Sequence, residues 1–327
     1  MVAGKSTCKM WPMRHCWCRT LTTLVLALQP LLPLCATQQD PVAQAKELVK
    51  AGKLKQAEVL LQTASQANPT SSDLHGLLGE VLFKEQKYED SVQELGLAAQ
   101  ANPDSLHYAV LLSEALIGWE HFGVAVDYLN AVKPKFDQHA EFHYVLGLAL
   151  YSENKLKDAK QELETALQLE PELAQARYLL AGCLASEGDY SRAEGIFSAL
   201  TEQHPTNASY WTGLAQVLAK ENKNVEAVRA ARQALSLAPR NAHVQYVTAT
   251  VLMESGNFSD AVPMFEKLER LDNSVVAVHV ALARLYARQG RRELAHKEAE
   301  LAQQLQEKNQ LQPGQKPPAQ AEYPAPQ

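Results

Sequence analysis

A 34-residue period runs through most of this chain and decides what it can fold into. Its clearest copy is 140–173, AEFHYVLGLALYSENKLKDAKQELETALQLEPEL. Leu146, Gly147 and Leu150 recur there at helical spacing, and Gly147 is small where a neighbouring helix must come close. Glu153-Asn154-Lys155 then interrupts the pattern, Asn being one of the few residues that tolerates the left-handed backbone of a helix end. A second run puts Ala159, Leu163 and Ala166 on one face, and Pro171 stops it, having no N–H to donate. The copy reads as helix, turn, helix, stop.

The same register holds in both directions from Ala140. Units begin at Gln38, Ser72, Leu106, Ala140, Ala174, Ala208, Ala242 and Val276. The eighth residue of each is small: Ala45, Gly79, Ser113, Gly147, Ala181, Ala215, Ala249 and Ala283. The eleventh is Leu in every unit but the last, where it is Tyr286, and the twentieth is Ala in all but one, where it is Ser91. The fifteenth, in the turn, is Gly or Asn in six units: Gly52, Asn154, Gly188, Asn222, Gly256 and Gly290. The thirty-second is proline in five: Pro69, Pro103, Pro171, Pro205 and Pro239. No insertion breaks the register.

These columns resemble the tetratricopeptide repeat, whose signature is a 34-residue helix–turn–helix. The resemblance spans Gln38 to about Asn309 and implies an all-α, right-handed superhelical solenoid of eight repeats over residues 37–309. Unit three departs from the pattern, with Pro134 early and Asp137 at the stop, and units seven and eight end on Asn273 and Glu307. Unit one carries Pro41 and Gln44 where apolar residues are usual, which suits an end repeat with one exposed face. A solenoid also explains how 327 residues need no single growing core.

Residues 1–36 have another character. Lys5, Lys9, Arg14 and Arg19 stand there without an acidic residue, ahead of the apolar run Leu21 to Ala36. That order predicts a secretory signal peptide ending at Ala36, hence an exported chain, periplasmic or secreted. The run is broken by Pro30 and Pro33 and is short for a transmembrane helix. Lipidation at Cys35 and an uncleaved anchor are the alternatives, and Met10 or Met13 are alternative starts. Gly4-Lys5-Ser6-Thr7 lacks the upstream glycine of a phosphate loop. Beyond the leader one cysteine remains, Cys183, expected as a small buried residue. Without the leader, 27 Lys and Arg face 37 acidic residues, about −10, which argues against nucleic acid and anionic membrane surfaces. Membrane contact is expected only through a lipid at Cys35.

The resemblance implies that the second, fifth, ninth, twelfth and thirteenth residues of each unit face a concave groove. That places His107, Val110, Ile117, Tyr144, Leu148, Tyr151, Tyr178, Tyr246 and Met253 there, an aromatic and largely uncharged lining. Such side chains suit recognition of a peptide or protein, and packing between repeats is the plainer role for them. Glu80 and Glu114 near the front against Arg284 and Arg288 near the back either orient a partner or are ordinary solvated surface. The fifth positions, from Val42 and Gly76 to Val280, hold no Lys, Asn or Arg, so the carboxylate clamp of chaperone-tail binders is not expected.

No catalytic motif is found. There is no H-E-x-x-H, paired C-x-x-C or G-x-S-x-G, and equivalent residues of successive repeats lie too far apart to share a metal ion. No enzyme activity, metal or small-molecule cofactor is therefore expected. Asn207 and Asn257 match the glycosylation acceptor pattern, and Pro263 sits inside the second helix of unit seven, in its first turn if Ser259 is the cap. Glu298 to Glu307 continues as a polar capping helix, and 310–327, rich in proline, reads as a disordered tail. The chain is thus expected to be an exported scaffold that binds a partner's peptide or helix. The alternatives are a structural component of an envelope assembly and an accessory subunit of an envelope enzyme complex.

Overall fold

The computed structural model describes residues 40–311, with side chains to residue 308, so the predicted leader, Cys35 and all but the first residues of the predicted tail lie outside them. Sixteen helices follow one another, two per unit, and no strand is found among the described residues. The first helices of the pairs are α1 (Pro41–Lys50), α3 (Ser72–Lys84), α5 (Leu106–Gly118), α7 (Ala140–Ser152), α9 (Ala174–Glu187), α11 (Ala208–Lys220), α13 (Ala242–Glu254) and α15 (Val276–Arg288). The second are α2 (Leu54–Ala67), α4 (Tyr88–Ala101), α6 (Phe122–Phe136), α8 (Leu156–Leu169), α10 (Tyr190–Gln203), α12 (Asn224–Leu237), α14 (Phe258–Leu271) and α16 (Arg292–Leu311). From α3 onward every first helix starts on the first residue of its unit. In unit one the start moves to Pro41, because Asp40 caps α1 by accepting the Val42 N–H at 3.1 Å.

All eight fifteenth residues adopt left-handed backbone, including Gln86 (φ 61°) and Glu120 (φ 60°), which are neither Gly nor Asn. A bond from the next residue's N–H to a carbonyl five residues back closes each turn, as from Lys87 to Leu82 and from His121 to Leu116. The small eighth residues let the paired helices meet. A Cβ on Gly147 would lie 2.8 Å from Leu163 Cγ, and one on Gly79 2.5 Å from Leu95 Cγ. Seven of the eight twentieth residues, from Ala57 to Ala261, are fully buried. The exception, Ala295, is half-buried in the last of the described repeats.

Pro263 sits inside the second helix of unit seven, as expected, but the condition placed on Ser259 is not met. Ser259 does not cap α14, because that helix starts like its counterparts at the seventeenth residue of its unit, with Asn257 at the cap. Pro263 therefore lies inside the helix and leaves the Ser259 carbonyl without its usual intrahelical donor. Pro134 likewise sits inside α6, near its end. Of the two glycosylation sequons, Asn257 is exposed, whereas Asn207 is half-buried and caps α11 by accepting the Ser209 N–H.

Successive repeats are tied at their seams. At five of the seven seams the fourth residue of a unit donates a side-chain hydrogen bond to the carbonyl of the preceding unit's thirty-second residue, where a stopped helix leaves carbonyls without partners. His75 Nε2 reaches Pro69 O at 3.0 Å, His143 Nε2 Asp137 O at 2.9 Å, and Trp211 Nε1 Pro205 O at 2.9 Å. Gln245 Nε2 meets Pro239 O at 2.7 Å and His279 Nε2 meets Asn273 O at 2.8 Å. Each of the three histidines turns its Nδ1 to the twenty-third residue of its own unit, Glu94, Glu162 or Glu298, at 2.6 to 2.7 Å. Carboxylates and carbonyls bring no proton, so each imidazole carries both of its own, or its glutamate carries one.

Candidate functional site

The backbone of each odd-numbered helix lies close against that of the next odd-numbered helix, while even-numbered helices reach the next even one only through long side chains such as Lys133 to Glu162, among the described residues. In a curved stack the inner layer is the more crowded. The odd helices therefore form the concave face, the side inferred above from the resemblance.

Neighbouring helices α5 and α7 carry the densest group of candidate residues on that face. His107 is exposed, and Ile117, Tyr144, Leu148 and Tyr151 are half-buried against the main core. Tyr151 leans over Gly182 of the next repeat, with its Oη 3.2 Å from where a Cβ would stand. Farther along, Tyr246 packs edge-to-face on Phe265 at 5.9 Å and Met253 is half-buried beside the C-terminal core.

Two candidates do not reach the surface. Val110 and Tyr178 are each only 4% exposed. Tyr178 packs between Phe197, edge to face at 5.8 Å, and Tyr210, tilted at 5.5 Å, and so seals the joint between repeats five and six. The fifth position is open only where the next repeat leaves it uncovered, as at Tyr144 and not at Tyr178.

Glu114 gives this face its electrostatic character. It is half-buried, and among the described residues no side chain hydrogen-bonds or ion-pairs with it. Burial, then the charge of Glu141, pushes its carboxyl up to about 7, and Lys84 opposes the shift. Burial likewise raises the Tyr144 hydroxyl, helped by Glu114 and Tyr210. Glu80, by contrast, is ion-paired with Lys84 at 3.4 Å. At the far end Arg284 is exposed, and Arg288 lies over the Phe258 ring at 5.2 Å. Sequence reading named Glu114 only as one end of a charge gradient and passed over Glu141. Their proximity follows from the contact of α5 with α7.

The remaining chemistry is sparse. Cys183 is fully buried and its thiol is pushed up to about 12, chiefly by burial, so it is no nucleophile. No helix of the described residues is long and apolar enough to cross a membrane.

Tetratricopeptide repeat family models match residues 48–115 and 150–217, and a further one matches residues 246–309. Cellulose synthase operon protein C of Pseudomonas fluorescens (strain SBW25) is 30% identical over 129 residues, 39% of this chain and 10% of that protein. Thus the chain spans about a tenth of that relative's length. Among solved structures, the Cut9-Hcn1 assembly of the APC/C superposes with a TM-score of 0.64 at 12% identity, covering 81% of this chain and 52% of the other. A tetratricopeptide repeat protein from Parabacteroides merdae ATCC 43184 gives 0.61 at 17% identity, covering 78% and 97%. At these identities the structures bear on the fold alone, a superhelical stack of helical hairpins.

Proposed function

The chain belongs to the tetratricopeptide repeat family, a scaffold for protein interactions, and from that premise we propose that its concave face grips an extended or helical segment of a partner protein. The observation that supports this is the patch on α5 and α7. Ile117, Tyr144, Leu148 and Tyr151 offer apolar and aromatic area beside the unpaired carboxyl of Glu114. Partly open aromatic rings give contact area at small entropic cost, and an unpaired half-buried acid favours a donor or a cation from the partner. Repeats of this family are generally scaffolds without catalysis, and the reading assigns this chain no reaction. Export belongs to the same proposal, supported by the basic flank and apolar run of residues 1–36.

Affinity capture from fractionated source cells, comparing wild type with Tyr144→Ala/Tyr151→Ala, tests it. A partner lost by the variant at unchanged helicity in circular dichroism supports groove recognition. Equal capture by both sinks it and redirects attention to the even-helix face. Mass spectrometry of the same preparation reads the mature N-terminus, and a cytosolic chain retaining Met1 overturns export.

A further inference from the structure

The three seam histidines share one geometry but not one charge balance. At repeat four, His143 and Glu162 are joined by Lys133, whose Nζ lies 2.7 Å from Glu162 Oε1, and by Asp137, 3.6 Å from His143 Nε2. With the imidazole protonated, two positive charges there meet two negative ones. At repeat two, His75 faces Glu94, while Ser65 and Pro69 hold the positions equivalent to Lys133 and Asp137. That pair balances too.

Repeat eight breaks the rule. Glu269 occupies the position of Lys133, and Asn273 that of Asp137. One ligand atom each from Glu269, His279 and Glu298 lies within 4.8 Å of the others. His279 and Glu298 are 0% and 3% exposed, and among the described residues no Lys or Arg pairs with either glutamate. Arg291 is held elsewhere, over the Tyr286 ring at 4.6 Å, and the Tyr286 hydroxyl donates to Glu266 at 2.9 Å. A protonated His279 leaves this trio one negative charge in excess. Burying such an excess is costly.

We propose that Glu269, His279 and Glu298 form a zinc site at the seam of repeats seven and eight. A divalent cation with two carboxylates and a neutral imidazole sums to zero, the balance the other two seams reach by other means. The Nε2–H of His279 already donates to Asn273 O at 2.8 Å, which fixes the tautomer and leaves Nδ1 for the metal. Zinc takes the place of the proton between Nδ1 and Glu298 Oε2, and that proton leaves to solvent. One nitrogen and two carboxylate oxygens favour a zinc-like ion over calcium or magnesium, with water as the fourth ligand. Tetrahedral ligands at about 2 Å sit roughly 3.3 Å apart, so Nδ1 and Glu298 Oε2, 2.7 Å apart, part slightly while the Glu269 carboxylate moves in. Glu269, half-buried at the surface, has the freedom to do so. Equivalent positions of successive repeats lie too far apart to share one zinc ion. Here the donors come from the twenty-eighth, fourth and twenty-third positions, which the seam brings together.

Titration calorimetry of the full chain with zinc chloride, beside the visible spectrum of the cobalt(II) form, tests this. Wild type is expected to take up one equivalent with a tetrahedral cobalt spectrum. Glu269→Lys, which copies Lys133, is expected to fold and to lose at least a hundredfold in affinity. Should that variant not fold, His279→Gln carries the same test, since Gln245 shows that a glutamine keeps the seam bond. Equal zinc uptake by wild type and the folded variant, or no saturable uptake by wild type, overturns the site.

Discussion

Gln86 and Glu120 occupy a backbone region where a side chain costs about 1–2 kcal/mol, yet both hold it at the turn of their repeats. The bond pattern of the turn imposes the conformation, whatever residue stands there. Gln86→Gly and Glu120→Gly are therefore each expected to stabilise the chain by about 1 kcal/mol, read as a higher urea midpoint, while Asn154→Gly gains less because Asn tolerates φ 65°. An unmoved midpoint would mean that these side chains repay their strain in contacts. Glu114 makes a second prediction at this scale. Its carboxyl titrates near 7 in the folded chain against an ordinary 4.5, so between these values the folded chain holds a proton that the unfolded chain has released. Stability contributed by this group falls as pH rises through that window and is lowest above 7. Glu114→Gln should leave stability unchanged at pH 4 and raise it by about 1–3 kcal/mol at pH 8, read from denaturation at both pH values.

Paired helices approach as closely as the eighth residue allows. Gly147→Ala gains helix propensity of about 1 kcal/mol but drives a methyl into Leu163, for a net loss of about 1–2 kcal/mol in chemical denaturation. A stabilised variant would show that α7 and α8 can part without cost. At this scale the sequence was most legible. A fixed period with small residues at set places located the start of every first helix from Ser72 on, because packing and turn closure both act within one repeat. What crosses between repeats was hidden. Tyr144 and Tyr178 share a unit position, but Tyr210 of the following repeat covers only Tyr178. The seam histidines were visible only as scattered residues, since their carbonyl acceptors belong to the preceding repeat and their glutamates to another helix. The condition on Ser259 failed for the opposite reason. A local capping rule would place Ser259 at the helix start, and the register, with Asn257 at the cap, overrides it.

The most buried apolar side chains of the stack fall into three groups. Buried side chains from Ala45 to Leu82 form one cluster, those from Leu95 to Val251 a second, and those from Ala249 to Tyr286 a third. Gly76 lies tight against Tyr108 and Gly79 against Leu95 where the first cluster meets the second, and Val228 and Tyr246 pack against both the second and the third. In a solenoid each repeat is held mainly by its neighbours, so a repeat at either end of the described stack opens more readily than the middle. Native-state hydrogen exchange should therefore give the highest opening free energies in α5 to α12 and lower ones in α1 to α3 and in α14 to α16. Excess zinc should raise the C-terminal values and leave those of α1 to α3 unchanged, because the proposed ligands join α14, α15 and α16. A profile level from end to end would mean that the seam bonds at His75 and Gln245 couple the three groups into one cooperative unit.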